Sequence, residues 1–468
     1  MERENKLAKN TLIIFLGTFY SKLAQYFLLP LYTRVLTTGE YGTVELFNTL
    51  VLLFAPLMSM QLEQGAFRYL VEYKNDKDKK KEIISTTVIS LMAIFGVCAA
   101  LMALISLVAH LNYGWLLLLG TGFTCLSTLL MQIMRGLGNN KSYSISNIII
   151  ATGTIVFNVV FLLGLNLKSE GMIYGSIIGN ALGALYLCTK MHIFKEVSIS
   201  AFSWKQLKKL LKYSLPMLPN ALSWWIFSSS DRVIVSSILG VSENGVLSIA
   251  YKFSSLVIVL YNVFHMSFTE SVISAYKDLD FKEYFNKIFT VISQFFVTIC
   301  GVMMAFMPIV FRLTINKSFE DSYNLISIAM LASIFQVMAG LLATLYIAHS
   351  KTKSIAITSI LSAIINVVLD LILINIVGVY AAVISTLASF LFLFTYRLID
   401  SRKRFFKIRM DKRLLTNLVI VLTIIIPLSY INNIYVILFN IFISICAALI
   451  FNGRNTKTLL SSIKRKSS

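Results

Sequence analysis

The sequence predicts an all-α polytopic membrane protein of about fourteen transmembrane helices, organised as two homologous six-helix lobes followed by two further helices. Composition is the first observation: 468 residues, 57% hydrophobic and only 14% charged, with a mean hydropathy of +0.77, are too apolar for one water-soluble core. The second is a series of roughly fourteen apolar runs near 20 residues long, the length that crosses the hydrocarbon as a helix and exceeds a barrel strand. The third is a duplication. LTTGEYG at 36–42 returns as LGVSENG at 239–245, and NVV at 158–160 returns at 366–368. Two matches at nearly one offset mark homologous halves, an organisation that places a site between repeats in transporters.

Taken in order, the first run (11–36) follows a charged leader, lacks a small-residue cleavage site and carries Lys22 in its middle, so it reads as a retained helix. The second (43–70) follows the first copy of the repeated link. The third and fourth (83–109, 114–134) are nearly unbroken apolar stretches. The fifth (143–166) contains the first NVV, and the sixth (171–191) carries Gly175, Gly179 and Gly183, a small-residue ridge for close helix packing. WKQLKKLLKYS, from Trp204, has the Lys-rich, Leu-spaced pattern of a helix lying on the cytoplasmic membrane face as a charged topological anchor. The seventh run (213–238) opens with Pro216 and Pro219, which act either as a bend or as a helix start signal. The eighth (245–272) follows the second link. The ninth and tenth (284–308, 322–348) lead to the eleventh (354–374), which holds the second NVV, and the twelfth (378–398) opens at Gly378. Runs 414–430 and 434–451 complete the set. The expected divisions are an N-terminal lobe (1–200), an interfacial linker (201–212), a C-terminal lobe (213–400) and a two-helix extension with a basic tail (401–468).

The net charge of +20 does not point to nucleic acid, because the basic residues gather in alternate breaks. Roughly 34 of the 42 Lys and Arg fall in the N-terminus, 74–81, 135–141, 190–212, 277–287, 351–353, 397–413 and the tail. The opposite breaks hold about three: Lys168, Arg312 and Lys317. Both termini are therefore expected in the cytoplasm. The five cysteines have no paired spacing and the four histidines are scattered, so no disulfide, metal site, nucleotide loop or catalytic group is indicated. No cofactor is expected, and the chain is not expected to be an enzyme. Short external links argue against a glycosyl-polymerase or ligase, which would need a loop or domain to hold its acceptor.

Charges inside apolar runs carry the functional signal. An ionisable residue near a helix centre costs about 2.5 to 3.5 kcal/mol on insertion scales, so it faces a wet cavity or a partner. The basic ones are Lys22, Arg34, Arg68, Arg232 and Lys252, all on runs 1, 2, 7 and 8, which flank the two repeated links. Glu45, Glu63 and Asp231 share those runs as candidate ion-coupling or charge-balancing groups, while Asp370 stands apart on run 11. A basic cavity tempered by carboxylates suits an anionic cargo. Structural roles compete with that reading. Arg34 and Arg68 are close enough to helix ends to snorkel, Glu45 is placed to pair with Arg34 across the first link, and Asp231 and Arg232 diverge by about 100° on a helix.

The duplicated link, the segment KYSLPMLPNALSWWIFSSSDRVIV at 212–235 and the run GVLSIAYKF at 245–253 resemble the polysaccharide transporter family. These are the Wzx-type O-antigen or repeat-unit flippases, in the superfamily that also holds multidrug extruders and lipid II flippases. The resemblance covers the whole chain and is strongest over 207–254. It implies two lobes in a V, alternating access, and a cargo of undecaprenyl diphosphate carrying an oligosaccharide for O-antigen, capsule or exopolysaccharide. It also implies a setting among membrane lipids, a polysaccharide polymerase and chain-length machinery. A cation-coupled multidrug extruder is the alternative, and it would call for a net acidic cavity.

Overall fold

The computed structural model describes residues 20, 26–106, 113–349 and 351–466. Among them every regular element is helical. The helices are α1 (Leu29–Val35), α2 (Thr38–Ser59), α3 (Leu62–Glu72), α4 (Lys77–Ser106), α5 (Gly114–Gly136), α6 (Asn140–Val159) and α7 (Lys168–Met191), then α8 (Trp204–Ser214) and α9 (Leu218–Ile238). They continue as α10 (Val241–Ala275), α11 (Phe281–Thr314), α12 (Ser322–Ala348), α13 (Thr352–Val377), α14 (Tyr380–Arg404), α15 (Lys412–Ile420) and α16 (Ile434–Lys466).

Twelve helices among the described residues are long and apolar enough to cross a membrane. The chain is a multi-pass membrane protein. Two expected spans are not among the twelve, and they are equivalent positions of the two halves. Most of 11–36, including Lys22, lies outside the described residues. Helix α9 forms where 213–238 was expected but carries Ser223, Ser228, Ser229, Ser230, Asp231, Arg232, Ser236 and Ser237, too polar a set to pass on hydropathy.

The repeated links do the same job in both copies. Each leaves a helix N-terminus at the homologous residue, Thr38 for α2 and Val241 for α10. In the first, the Thr37 hydroxyl accepts from the Glu40 backbone N–H while the Glu40 carboxylate accepts from that of Thr37, a capping box. In the second, Gly240 stands where Thr37 would, at φ 99°, a conformation open to glycine. Expected run 43–70 starts earlier than its apolar residues suggest and is broken in two. Pro56 lies in α2, and Met60 and Gln61 adopt left-handed conformations (φ 49° and 56°) before α3 begins. Pro216 falls in a short 3-10 turn (Leu215–Met217) and Pro219 in the first turn of α9, so both serve as start signals.

The chain divides into two compact units, Met1–Ser236 and Ser237–Ser468, and the first takes in nearly all of α9. Its core gathers Leu62, Leu70, Ile83, Leu129, Ile133 and Leu187 from α3, α4, α5 and α7, with Leu210 of α8. The expected glycine ridge of α7 lies on α6. A Cβ on Gly175, Gly179 or Gly183 would lie 2.0 Å from Asn158 Oδ1, 2.1 Å from Thr154 Oγ1 and 2.3 Å from Ile150 Cγ1 respectively. In the second unit α12 is the central helix, most of its side chains buried, among them Leu325, Ile334, Leu341 and Leu345. It is apolar on all sides, as a helix surrounded by others must be. By contrast α4, α13 and α16 expose rows such as Val97, Leu101 and Leu104, Ile360, Ile364 and Leu371, and Leu438, Phe442 and Leu449, the faces a bilayer covers.

Candidate functional site

In the first unit, polar groups collect where α9 packs on α2. Trp225 anchors the contact by donating its Nε1–H to the Thr49 carbonyl (2.9 Å), and the Thr49 hydroxyl donates to the Glu45 carbonyl one turn earlier (2.8 Å). Two turns further along α9, Arg232 Nη1 lies 3.4 Å from Glu45 Oε2, with side-chain exposures of 18% and 6%. The guanidinium is thus neutralised at one corner. Its Nε has no hydrogen-bond partner among the described residues. Asp231 is buried, as are Ser229, Ser230 and Tyr41. Tyr32 of α1 is buried nearby in sequence to the link and accepts from Asn158 Nδ2 of α6 (2.8 Å). A carboxylate and a cation facing each other across two helices, with an unused N–H donor, form a site that an anion can enter by displacing the carboxylate.

The expected pairing of Glu45 with Arg34 is not what forms. Arg34 sits in the last turn of α1, exposed, with no ion pair among the described residues. The reason is geometric: helix α2 starts at Thr38, which turns Glu45 inward toward α9, while Glu40 takes up Lys168 at 2.8 Å.

The other candidates are dispersed. Arg68 lies on α3, 23 residues from Glu45 and beyond the left-handed break at Met60 and Gln61. It is exposed, its guanidinium 4.4 Å from the Tyr213 ring centroid and 5.9 Å from that of Tyr69. Lys209 completes this aromatic cluster, donating to Tyr73 Oη (2.8 Å), a bond that holds its ammonium above the ordinary lysine range. Glu63, in the first turn of α3 beside the left-handed break, is buried, and its Oε2 has no hydrogen-bond partner among the described residues. Lys252 belongs to α10 of the second unit and is half-buried. Lys22 lies outside the described residues.

Charge counting misassigned one residue. Arg397 was grouped with the basic break at 397–413, but α14 runs on to Arg404 and buries Arg397 to 4% exposure. It donates to the Ala339 carbonyl (3.0 Å), Thr358 Oγ1 (3.2 Å) and Ser359 Oγ (3.0 Å), tying α12, α13 and α14 together. Its distance of several residues from the run at 402–404 was the available signal. The second unit also holds Asp370, fully buried on α13 one turn after Asn366, whose amide donates to Ser385 and Thr386 of α14. Tyr251 reaches the same Thr386 (3.2 Å) from α10.

The profile of the family described as "Polysaccharide biosynthesis protein" matches residues 7–269, more than half of the chain. The chain belongs to that family. An uncharacterized membrane protein of Methanocaldococcus jannaschii is 24% identical over 406 residues, covering 81% of this chain and 94% of its relative. Among solved structures, the lipid II flippase MurJ in an inward closed conformation superposes with a TM-score of 0.72 at 17% identity, covering 96% of this family member and 100% of MurJ. An inward-facing multidrug resistance MATE transporter of the MOP superfamily superposes with a TM-score of 0.67 at 14% identity, covering 81% and 94%. The chain shares its fold with both of these solved structures.

Proposed function

We propose that this protein flips an isoprenoid diphosphate-linked oligosaccharide across the bacterial inner membrane by alternating access, supplying a polysaccharide polymerase and chain-length machinery outside. What carries the reading is membership of the polysaccharide biosynthesis family joined to a fold shared over nearly the whole chain with a lipid II flippase. Lipid II flippase activity belongs to MurJ; for this chain, the basic residues of its α1–α3 and α9–α10 segments add support for an anionic cargo. In this reading the lobes are 1–200 and 213–400, the linker 201–212, and the extension 401–468, with both termini cytoplasmic.

The Arg232–Glu45 pair gives the mechanism a concrete step. The cargo diphosphate competes with Glu45 for the guanidinium, gaining the unused Nε–H as a second donor, so arrival of the anion loosens α9 from α2. Lys22, Arg34, Arg68 and Lys252 serve as further cations along the route, and Asp231 as a charge-balancing group. Glu63, buried beside the left-handed break with one carboxylate oxygen lacking a hydrogen-bond partner among the described residues, is the candidate for holding a coupled proton or cation.

In the decisive experiment, a strain lacking the protein accumulates the lipid-linked repeat unit on the cytoplasmic leaflet. Unchanged distribution of that lipid between leaflets sinks the proposal. Arg232→Ala should abolish or strongly reduce export at matched protein level, and Arg232→Lys should retain part of it. Infrared difference spectra should show a protonated carboxyl band that disappears in Glu63→Gln; no such band removes Glu63 from the coupling role.

A further inference from the structure

Helix α8 is docked with a fixed orientation. Its buried face is Gln206, Leu210 and Ser214, at four-residue spacing. Leu210 enters the core against Gly65, where an added Cβ would stand 3.1 Å from Leu210 Cδ2. The Ser203 hydroxyl caps the helix at Gln206, and the Ser203 backbone N–H donates to Thr86 Oγ1 of α4 (3.2 Å). On the far side, the aromatic cluster of Tyr69, Tyr73 and Tyr213 holds Lys209 and Arg68.

With the helix so held, Lys205, Lys208 and Lys212 form one exposed stripe at i, i+3 and i+7. None of the three has an ion pair or hydrogen bond among the described residues, and α8 contains no acidic residue. The contrast with the start of α4 is informative: there Lys79 pairs with Glu82 at 2.6 Å. Apolar side chains frame the stripe, Ile199 at 87% and Trp204 at 71% exposure before it and Leu215 after it. An amphipathic helix with free lysines between exposed apolar groups matches a membrane surface, lysines at the headgroups and the indole at the acyl boundary.

We propose that the Lys205–Lys208–Lys212 stripe of α8, framed by Trp204 and Leu215, is a binding surface for the headgroups of anionic phospholipids. Charge complementarity selects the occupant: zwitterionic lipids bring no net negative charge to balance three ammonium groups, whereas anionic lipids do, and the flanking apolar groups favour a lipid over a soluble acidic partner. The site is separate from Arg232 and Glu45 and does not depend on the cargo.

The test uses the full-length protein in detergent, where the side of the membrane α8 faces has no influence. After exchange into micelles holding equal phosphatidylglycerol and phosphatidylcholine, mass spectrometry of the intact protein is expected to show preferential retention of phosphatidylglycerol. The variant Lys205→Gln/Lys208→Gln/Lys212→Gln should lose about fivefold in that preference for each lysine removed, and the same three positions changed to Arg should keep it. Arg402→Gln/Lys403→Gln/Lys407→Gln removes equal charge from exposed positions elsewhere and should leave the preference unchanged. Equal retention by the lysine-to-glutamine variant and the unaltered protein overturns the proposal. So does an equal loss in both glutamine variants, which assigns the preference to net charge alone. A reading on the unaltered sequence guards against misfolding: quenching of Trp204, isolated by difference from Trp204→Phe, should be stronger with brominated phosphatidylglycerol than with brominated phosphatidylcholine, and equal quenching also overturns the proposal.

Discussion

Asn158 and Asn366 open the two copies of NVV, and both are buried at 3% and 1% exposure, yet the two units use them differently. In the first unit the Asn158 amide donates outward to Tyr32 of α1, while its Oδ1 lies in the space left by the missing side chain of Gly175. In the second, Asn366 donates to the hydroxyls of Ser385 and Thr386 on the next helix, and Ser362 donates to the Ser389 carbonyl (2.7 Å) in the same seam. One unit closes its fifth and sixth helices through absent side chains. The other closes them through small hydroxyls. Glycine lets the backbones approach, and a row of Ser and Thr supplies hydrogen bonds across the seam. Duplication preserved the buried amide and left its partner free to change. The second seam also has a buried carboxylate, Asp370, beside it, for which the first offers Leu162 at the corresponding offset.

The sharpest way to break this comparison is to give the glycine seam a side chain. Gly179→Val should cost more than about 3 kcal/mol, because its Cβ meets Thr154 Oγ1 at 2.1 Å and the Ile150 carbonyl at 2.7 Å, and backbone cannot yield. Size-exclusion of the detergent-solubilised variant should show little folded protein, whereas Thr386→Val in the hydroxyl seam should remain folded. Arg397→Ala comes next. Removing it opens a cavity and leaves the Ala339 carbonyl and two hydroxyls short of a donor, an expected loss of about 2 to 3 kcal/mol in thermal unfolding. A fall smaller than that of an exposed control such as Arg402→Ala would refute its role as the tie between α12, α13 and α14.

Smaller effects sharpen the distinction between the two asparagines. Asn366→Leu breaks at least the hydrogen bonds to Ser385 and Thr386, and Asn158→Leu the one to Tyr32, so at about 0.6 kcal/mol per bond in a membrane the second unit should lose more. Unfolding midpoints in the reverse order would show that the Tyr32 bond dominates. Smallest of all are the two links. Thr37→Ala removes the capping-box acceptor at a cost of about 1 kcal/mol. Gly240→Ala places a Cβ at φ 99° and should cost a similar amount by strain, which a full thermal scan of both variants would compare.

Much of this was legible in the chain. Membrane character, helical class and the duplication followed from apolar run length and two repeated words, because lipid leaves the backbone few ways to satisfy its hydrogen bonds. The glycine ridge was legible too, since close packing in a bilayer needs small residues at regular spacing. Of the charges within apolar runs, Arg232, Glu45, Glu63 and Asp231 are largely buried or paired, whereas Arg34 and Arg68 are exposed.

Partner choice was not legible. Glu45 had Arg34 eleven residues away in sequence and found Arg232 instead, 187 residues on, because the capping box starts α2 at Thr38 and thereby sets the direction of every later side chain on it. Arg397 falls at once in the last positions of the run 378–398 and at the start of the basic break 397–413, and composition cannot choose between them; only the neighbouring helices, by supplying Ala339, Thr358 and Ser359, decide that a cation can be buried there. The sequence by itself determined where lipid must be the solvent and which positions repeat, since both depend on local composition. The tertiary structure decided which charges meet, since that depends on helix rotation and on contacts between segments far apart in the chain, neither of which a linear pattern contains.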